Sequence, residues 1–283
     1  MAFLDWPLSD GSLNPDGWTQ DRERRAEHSH RLLGMKIGLL CIVLVVWTQL
    51  REARSWVRRL AVVLLLVVIL QGVVGGARVR FDQLNTGMES NWIAQAFAVI
   101  HACGAQITLC LLVTLALATS RRWIERRGGF SQPASRKVRI WGVGVCLLLF
   151  LQILIGAVMR HANLGLAIHT FPFSTSDGAW LPESWNWAVS VNFAHRAGAL
   201  VSFVAILGFV AGIWRAFPSR KALGGLSLLP LFLVVVQILL GGTVVWFRLN
   251  EYAATLHLLV GAFLLASCWM LTLLSFRLPL KQG

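Results

Sequence analysis

Four histidines fall at matching places in two similar stretches of this chain. His30-Arg31 and His195-Arg196 each open an apolar segment, and each is followed two apolar segments later by a further histidine, His101 and His257. Imidazole is a common ligand of transition metals and one of the few side chains that hold haem iron. Ionisable groups at membrane depth are costly and mark functional positions. Singly, each histidine reads as a polar residue near a helix end. Repeated two by two, they read as pairs of imidazoles gripping the iron of a haem from opposite faces, so His30, His101, His195 and His257 are the expected metal ligands. His28 rivals His30, but only His30 carries the His-Arg dipeptide. His161 and His169 fall in a polar connection and read as solvated.

Positioning such pairs requires helices in lipid. The chain has 283 residues, 56% hydrophobic and only 14% charged, which excludes an ordinary soluble domain. A span takes roughly 20 apolar residues, and seven segments qualify: 34–50, 60–77, 93–119, 139–159, 189–214, 225–247 and 252–276. Only helices satisfy their own backbone across such runs, so the expected fold is an all-α polytopic membrane protein. The formal charge of +13 would suit nucleic acid, but its distribution points elsewhere. Loops 51–59, 120–139 and 215–221 hold most of the arginines and lysines, and the alternate loops hold only Arg78, Arg80, Arg160 and Arg248. That bias predicts which loops are cytoplasmic; membrane lipid, not nucleic acid, is the expected surroundings. It puts the histidines in the outer half of the membrane. The five cysteines lie inside apolar runs and read as small hydrophobes.

The chain is also a repeat. In the second half, Phe171-Pro172 precedes His195-Arg196, then Gln237-Ile-Leu-Leu-Gly241-Gly242, then His257. In the first, Trp6-Pro7 precedes His30-Arg31, then Gln71-Gly-Val-Val-Gly75-Gly76, then His101. Pro7 to His30 and Pro172 to His195 are both 23 residues; His30 to Gln71 is 41 and His195 to Gln237 is 42. Segment 139–159, with Gln152 and Gly156, has no counterpart before Trp6. Two pseudosymmetric bundles of 3 + 4 helices are therefore expected, the first helix of a 4 + 4 unit being missing through a late start or a true loss. The expected divisions are an N-terminal half-bundle over 1–119, a cytoplasmic basic linker over 120–138 and a C-terminal half-bundle over 139–283.

Arg31 and Arg196 follow the ligands directly and suit anionic haem propionates, which guanidinium pairs by two parallel hydrogen bonds. Arg78, Arg80 and Arg160 either join them or snorkel to the interface. The glycines of the Gln-x-x-x-Gly pattern, at Gln71, Gln152 and Gln237, read as close helix packing; the glutamines bond across helices or to a ligand. One position breaks the repeat. Glu27 stands three residues before His30, where the second half has Asn192 before His195. A carboxylate beside one pair accepts a proton or stabilises positive charge, unless it only offsets Arg24 or Arg31. The asymmetric reading is a reactive pocket (Glu27, His30, His101) and an electron-holding pocket (His195, His257).

These residues, from Glu27-His28-Ser29-His30-Arg31 through Gln71 to Gly76, Ile100-His101, Gln152 to Arg160, Ala194-His195-Arg196, Gln237 to Gly242 and Leu256-His257, resemble the haem A synthase family over nearly the whole chain. The resemblance implies eight helices in two four-helix halves, in a bacterial inner membrane. It implies haem b held by His195 and His257, haem O as substrate between His30 and His101, and Glu27 as the essential carboxylate. It implies oxidation of the position-eight methyl of haem O to a formyl group, giving haem A for cytochrome oxidase. Haem O synthase would deliver the substrate, and the redox partner is unknown. The chain departs from the family pattern in its first helix and in the outer-loop cysteine pair of many members: Ser9 stands where many have cysteine. The alternative is a di-haem b-type electron-transfer protein that modifies no haem.

Overall fold

The computed structural model describes residues 3, 5–84, 91–124, 135–216 and 221–276. Every regular element among them is helical: α1 (Arg22–Arg51), α2 (Ser55–Leu84), α3 (Trp92–Thr119), the single turn α4 (Arg121–Ile124), α5 (Arg136–His161), α6 (Trp187–Ala216), α7 (Lys221–Trp246) and α8 (Glu251–Ser275). Seven of these are long and apolar enough to cross a membrane. The protein is a polytopic all-α membrane protein. Arg126, Arg127, Arg220, Arg277 and Lys281 of the basic segments lie outside the described residues, as does most of the 120–138 linker.

The helices outrun the apolar segments that announce them. Segment 34–50 is the middle of α1, which starts at Arg22, and segment 60–77 is the middle of α2. Apolarity marks the part of a helix that lipid or core selects, whereas the helix ends where its backbone groups find other partners. At several N-termini that partner is a side chain. Asp21 accepts from the Arg24 amide, Asn91 from Ala94, Ser135 from Val138, Asn186 from Val189, and Asn250 from Tyr252 and Ala253. Each satisfies a backbone N–H left over in the first turn. The extension of α1 places His30 about two turns inside a helix rather than at its entrance.

The chain divides into two compact units, Met1–Leu115 and Ala116–Gly283. In the first, α1 packs on α2, whose Val57, Ala61 and Leu64 are buried together with Cys41 of α1. Phe81 of α2 stacks on Phe97 of α3 with ring centres 5.0 Å apart. In the second unit α5 packs on α6 and α8, α6 on α7, and α7 on α8, closing a four-helix ring. Its core, from Val145 and Leu149 through Ile206, Phe209 and Leu271, lies toward the end of the bundle away from His195 and His257. Pro230 sits buried inside α7, which a helix surrounded by other helices tolerates.

One tight crossing of this core is at Gly142. A β-carbon there would stand 2.8 Å from both the Phe209 ring and the Thr272 hydroxyl, so α5 meets α6 and α8 at one glycine; Gly144, by contrast, faces open space. Gly142→Val is expected to overpack the junction and destabilise the bundle by about 1–3 kcal/mol. Gly144→Ala is expected to be neutral or slightly stabilising, since it removes only the entropy cost of a helical glycine. Thermal unfolding in detergent followed by circular dichroism separates the two.

Candidate functional site

Each unit brings two histidines together edge-on. In the first, His30 on α1 and His101 on α3 have ring centres 6.0 Å apart with planes at 83°. In the second, His195 on α6 and His257 on α8 lie 6.3 Å apart at 65°. His28 points elsewhere. It is buried, its Nδ1 lies 2.9 Å from the Ser9 hydroxyl, and it packs between Phe3 and Trp18. His169 is exposed in the loop after α5.

The geometry fits haem iron. A metal–imidazole bond of about 2 Å on each side, plus about 1 Å from the bonded nitrogen to the ring centre, sets two axial imidazoles roughly 6 Å apart. Nδ1 of His101 and Nδ1 of His257 are buried with no hydrogen-bond partner, and buried polar atoms normally have one. Among the described residues no group of three or more His, Cys, Asp or Glu side chains converges. Paired imidazoles therefore suit an iron whose remaining ligands come from a porphyrin.

Glycines make the pairs possible. A β-carbon at Gly75 of α2 would stand 3.3 Å from Cε1 of His101, one at Gly156 of α5 2.9 Å from Cε1 of His195, and one at Gly241 of α7 3.3 Å from Cε1 of His257. These are the glycines of the three Gln-x-x-x-Gly patterns, and each lets an imidazole lie against a neighbouring backbone. The glutamines, one turn earlier on the same helices, meet the same neighbours. Gln71, Gln152 and Gln237 occupy notches at Gly104, Gly198 and Gly261, one turn beyond the histidines. Gln152 Nε2 donates to the backbone carbonyl of His195 at 2.6 Å and lies 3.2 Å from its Nδ1. Gln237 Nε2 lies 3.2 Å from Nε2 of His257. Among the described residues no helix does for His30 what α5 does for His195, and His30 is exposed.

The next glycine of each pattern seats the loop. Gly76 lies under the Trp6 ring and Gly242 under the Phe171 ring, with 2.8 Å from an added β-carbon to Phe171 Cε1. Both aromatics precede a cis proline, Pro7 or Pro172. The loops are held down by the arginines that follow the first histidine of each pair. Arg31 donates to the carbonyls of Phe3, Asp5 and Leu8, and Arg196 to those of Ile168, Thr170 and Phe173. The two triplets occupy the same register relative to their arginines. These bonds commit most of the guanidinium donors to the backbone. Arg78 is half-buried, and Arg80 and Arg160 are exposed.

The odd position of the repeat is part of the same clamp. Glu27 accepts from Arg31 Nη2 at 2.6 Å, one turn apart on α1, with both side chains largely covered. Asn192, one turn before Arg196, accepts from its Nε at 3.0 Å and donates to the carbonyls of Leu164 and Gly165 at 3.0 and 3.1 Å. Neither the arginine clamp nor the glutamine notch could be read from the sequence. The equal spacing from the loop prolines to the His-Arg pairs was the signal for the first, and the recurrence of Gln-x-x-x-Gly for the second.

The family model described as cytochrome oxidase assembly protein matches residues 19–269. A protein named haem A synthase from Symbiobacterium thermophilum is 33% identical over 206 residues, 71% of this chain and 62% of that one. Proteins of the same name from Shouchella clausii and Bacillus licheniformis are 29% identical over 280 residues (97% and 85% of the two chains) and 28% over 258 (89% and 78%).

Two outcomes test this description of the site. Arg196→Leu leaves three loop carbonyls and Asn192 without their cationic donor. Hydrogen bonds to a charged group contribute about 1.5–3 kcal/mol each, so a loss of several kcal/mol and faster proteolysis between residues 162 and 186 are expected, with Arg196→Lys intermediate. Gly156→Val is expected to displace the His195 ring and to lower severalfold the haem retained per purified protein, measured by pigment extraction; Gly72→Ala, at a position facing open space, is the control.

Proposed function

Since the chain belongs to the haem A synthase family, we propose that it oxidises the position-eight methyl of haem O to a formyl group, making haem A for cytochrome oxidase. The observation that carries this reading is a pair of pockets alike in their imidazoles and unlike in one acid. Both hold histidines at a separation that suits an iron between them, but only the first has a carboxylate, Glu27, in the clamp beside its ligand. Two equal electron-carrying sites would have no use for that difference.

In this reading His195 and His257 hold a resident haem b. His30 and His101 flank the substrate haem O. When bound, the resident haem supplies one-electron redox chemistry. The chain's own residues do the rest. The glycines at 75, 156 and 241 admit the imidazoles, and the seated loops cover the pockets from one side. Glu27 stands one residue short of a full turn before His30 and serves as the proton acceptor or as the counter-charge for positive character at the oxidised carbon. Arg31 orients it. Only the guanidinium donors that neither the loop carbonyls nor Glu27 and Asn192 engage are left for the propionates. The basic loops set the orientation that puts both pockets toward the periplasmic side of a bacterial inner membrane, where haem O synthase hands over the substrate and a redox partner accepts the electrons.

The reading is tested by extracting the pigments of protein purified from cells that supply haem O and identifying them by mass. Formyl or hydroxylated haem is expected; haem b alone identifies the di-haem relay instead. Glu27→Ala is expected to lose conversion by two orders of magnitude or more, the contribution typical of a positioned acid or base, while retaining the haem of the second unit. Full turnover by that variant removes Glu27 from the chemistry.

A further inference from the structure

α5 meets α6 at small residues. A β-carbon at Gly198 would stand 2.3 Å from Oε1 of Gln152, one at Gly208 2.3 Å from the Trp141 ring, and one at Gly212 3.2 Å from Val138. Between them the Trp141 indole donates to the carbonyl of Ala205 at 3.1 Å. Small residues are what let two helix backbones approach closely in lipid. The His-Arg dipeptides, 165 residues apart, set the register of the repeat, and the matching places on α1 are Leu33, Leu40, Val43 and Trp47. All four are large, and each is 55 to 65% exposed. The difference lies in α1 itself, whatever stands beside it. A helix placed on α1 as α5 is placed on α6 would meet a bulky side chain at every point where α5 finds a seat.

This face runs up to a ligand. Leu33 stands one turn past His30, and His30 is exposed. At the matching place in the second unit, α5 closes the pocket: Gly156 lies against the His195 ring, and Gln152 donates to the His195 carbonyl at 2.6 Å. A haem leaving past α5 must wait for a local opening of packed helices. A haem leaving past acyl chains breaks no helix contact.

We propose that the first pocket opens sideways to the bilayer along α1, that lipid acyl chains cover Leu33, Leu40, Val43 and Trp47, and that haem enters and leaves by this side. This rests on the haem O reading above. Haem O and its oxidised products carry an apolar isoprenoid tail, so they pass between bilayer and pocket without crossing water. The haem of the second unit has α5 in the way and stays. The two units thus differ in exchange as well as in charge: one is built to be refilled, the other to keep what it holds.

The test uses the purified full chain in phospholipid vesicles, with the photoreactive residue p-benzoylphenylalanine put at Leu33, at Val43 or, as the control, at Trp141. Irradiation is expected to join a phospholipid to the residue at Leu33 and at Val43, read as added mass on an α1 peptide, and to join the residue at Trp141 to a peptide of α6. A peptide partner at both α1 positions overturns the proposal, since a helix then covers the face. In the second arm, protein loaded with both haems is mixed with empty vesicles, and the pigment left on it is identified by mass over time. Haem O and its oxidised products are expected to leave about tenfold faster than haem b or more, because only the second haem waits for an opening of α5. A lipid joined at Leu33 is expected to slow their departure severalfold and to leave that of haem b unchanged. Equal departure of the two haems, or departure of haem O untouched by that adduct, also overturns the proposal. A wild-type protein that carries only haem b defeats the underlying reading instead, while the crosslinks still decide what covers α1.

Discussion

Two imidazoles can face each other across 6 Å inside a helical bundle only if the helices behind them come unusually close. That approach is the constraint from which the rest of the molecule follows. A histidine ring pointing into a groove between helices needs a neighbour with no side chain, and Gly75, Gly156 and Gly241 supply it at three of the four positions. In lipid there is little hydrophobic gain from bringing helices together, so van der Waals contact across small residues and interhelical polar contacts must carry the association. The Gln-x-x-x-Gly pattern provides both within one turn. The glycine admits the ring, and the glutamine, offset by four residues, reaches past it to the next turn of the histidine helix. Helix packing and imidazole placement are thus one interaction, and neither can be altered alone.

The same economy extends to the loops. A connection lying over the end of a helical bundle exposes carbonyls that neither a helix ladder nor bulk water fully serves, and buried carbonyls need donors. Consecutive helix residues point about 100° apart, so a His-Arg dipeptide sends the imidazole toward its partner and the guanidinium toward the loop. Arg31 and Arg196 then donate to three carbonyls in the same register, and the aromatic before each cis proline settles on the second glycine of the neighbouring pattern. The loop is thereby tied to the helix that carries the histidine and to the helix that carries the glycine. The dipeptide that marks the repeat in sequence is the hinge of this arrangement.

The number of membrane helices and the pairing of His30 with His101 and of His195 with His257 were legible because they depend on one-dimensional properties: apolar run length and the distance between like residues. Helix ends were not, since α1 begins with a charged stretch, Arg22 to Arg25, that no hydropathy window would include. Polar partners were legible only as types. Arg31 and Arg196 could be recognised as cations beside ligands and assigned to an anion, yet the structure gives most of their donors to the backbone. Gln152 and Gln237 could be recognised as repeated but not aimed. Both depend on the register between helices that are distant in sequence, which a spacing along one chain does not encode. Glu27 stood out because the repeat supplied its own reference, Asn192, at the matching place.

That substitution carries more physics than a change of one side chain. Asn192 is both donor and acceptor, and its amide can serve Leu164, Gly165 and Arg196 together. A carboxylate accepts only, so Glu27 cannot donate to loop carbonyls as Asn192 does. It does change the charge. The Glu27–Arg31 pair is neutral as a whole, whereas Arg196 beside Asn192 keeps its positive charge. Two sites built on the same imidazole geometry therefore differ by one elementary charge at an equivalent and largely covered position, where screening by water is weak. An anionic or electron-rich group is favoured in the second unit relative to the first, and developing positive charge is favoured in the first relative to the second. On one repeated pattern of imidazole, arginine and loop, a single acid residue thus makes the two sites unequal in charge.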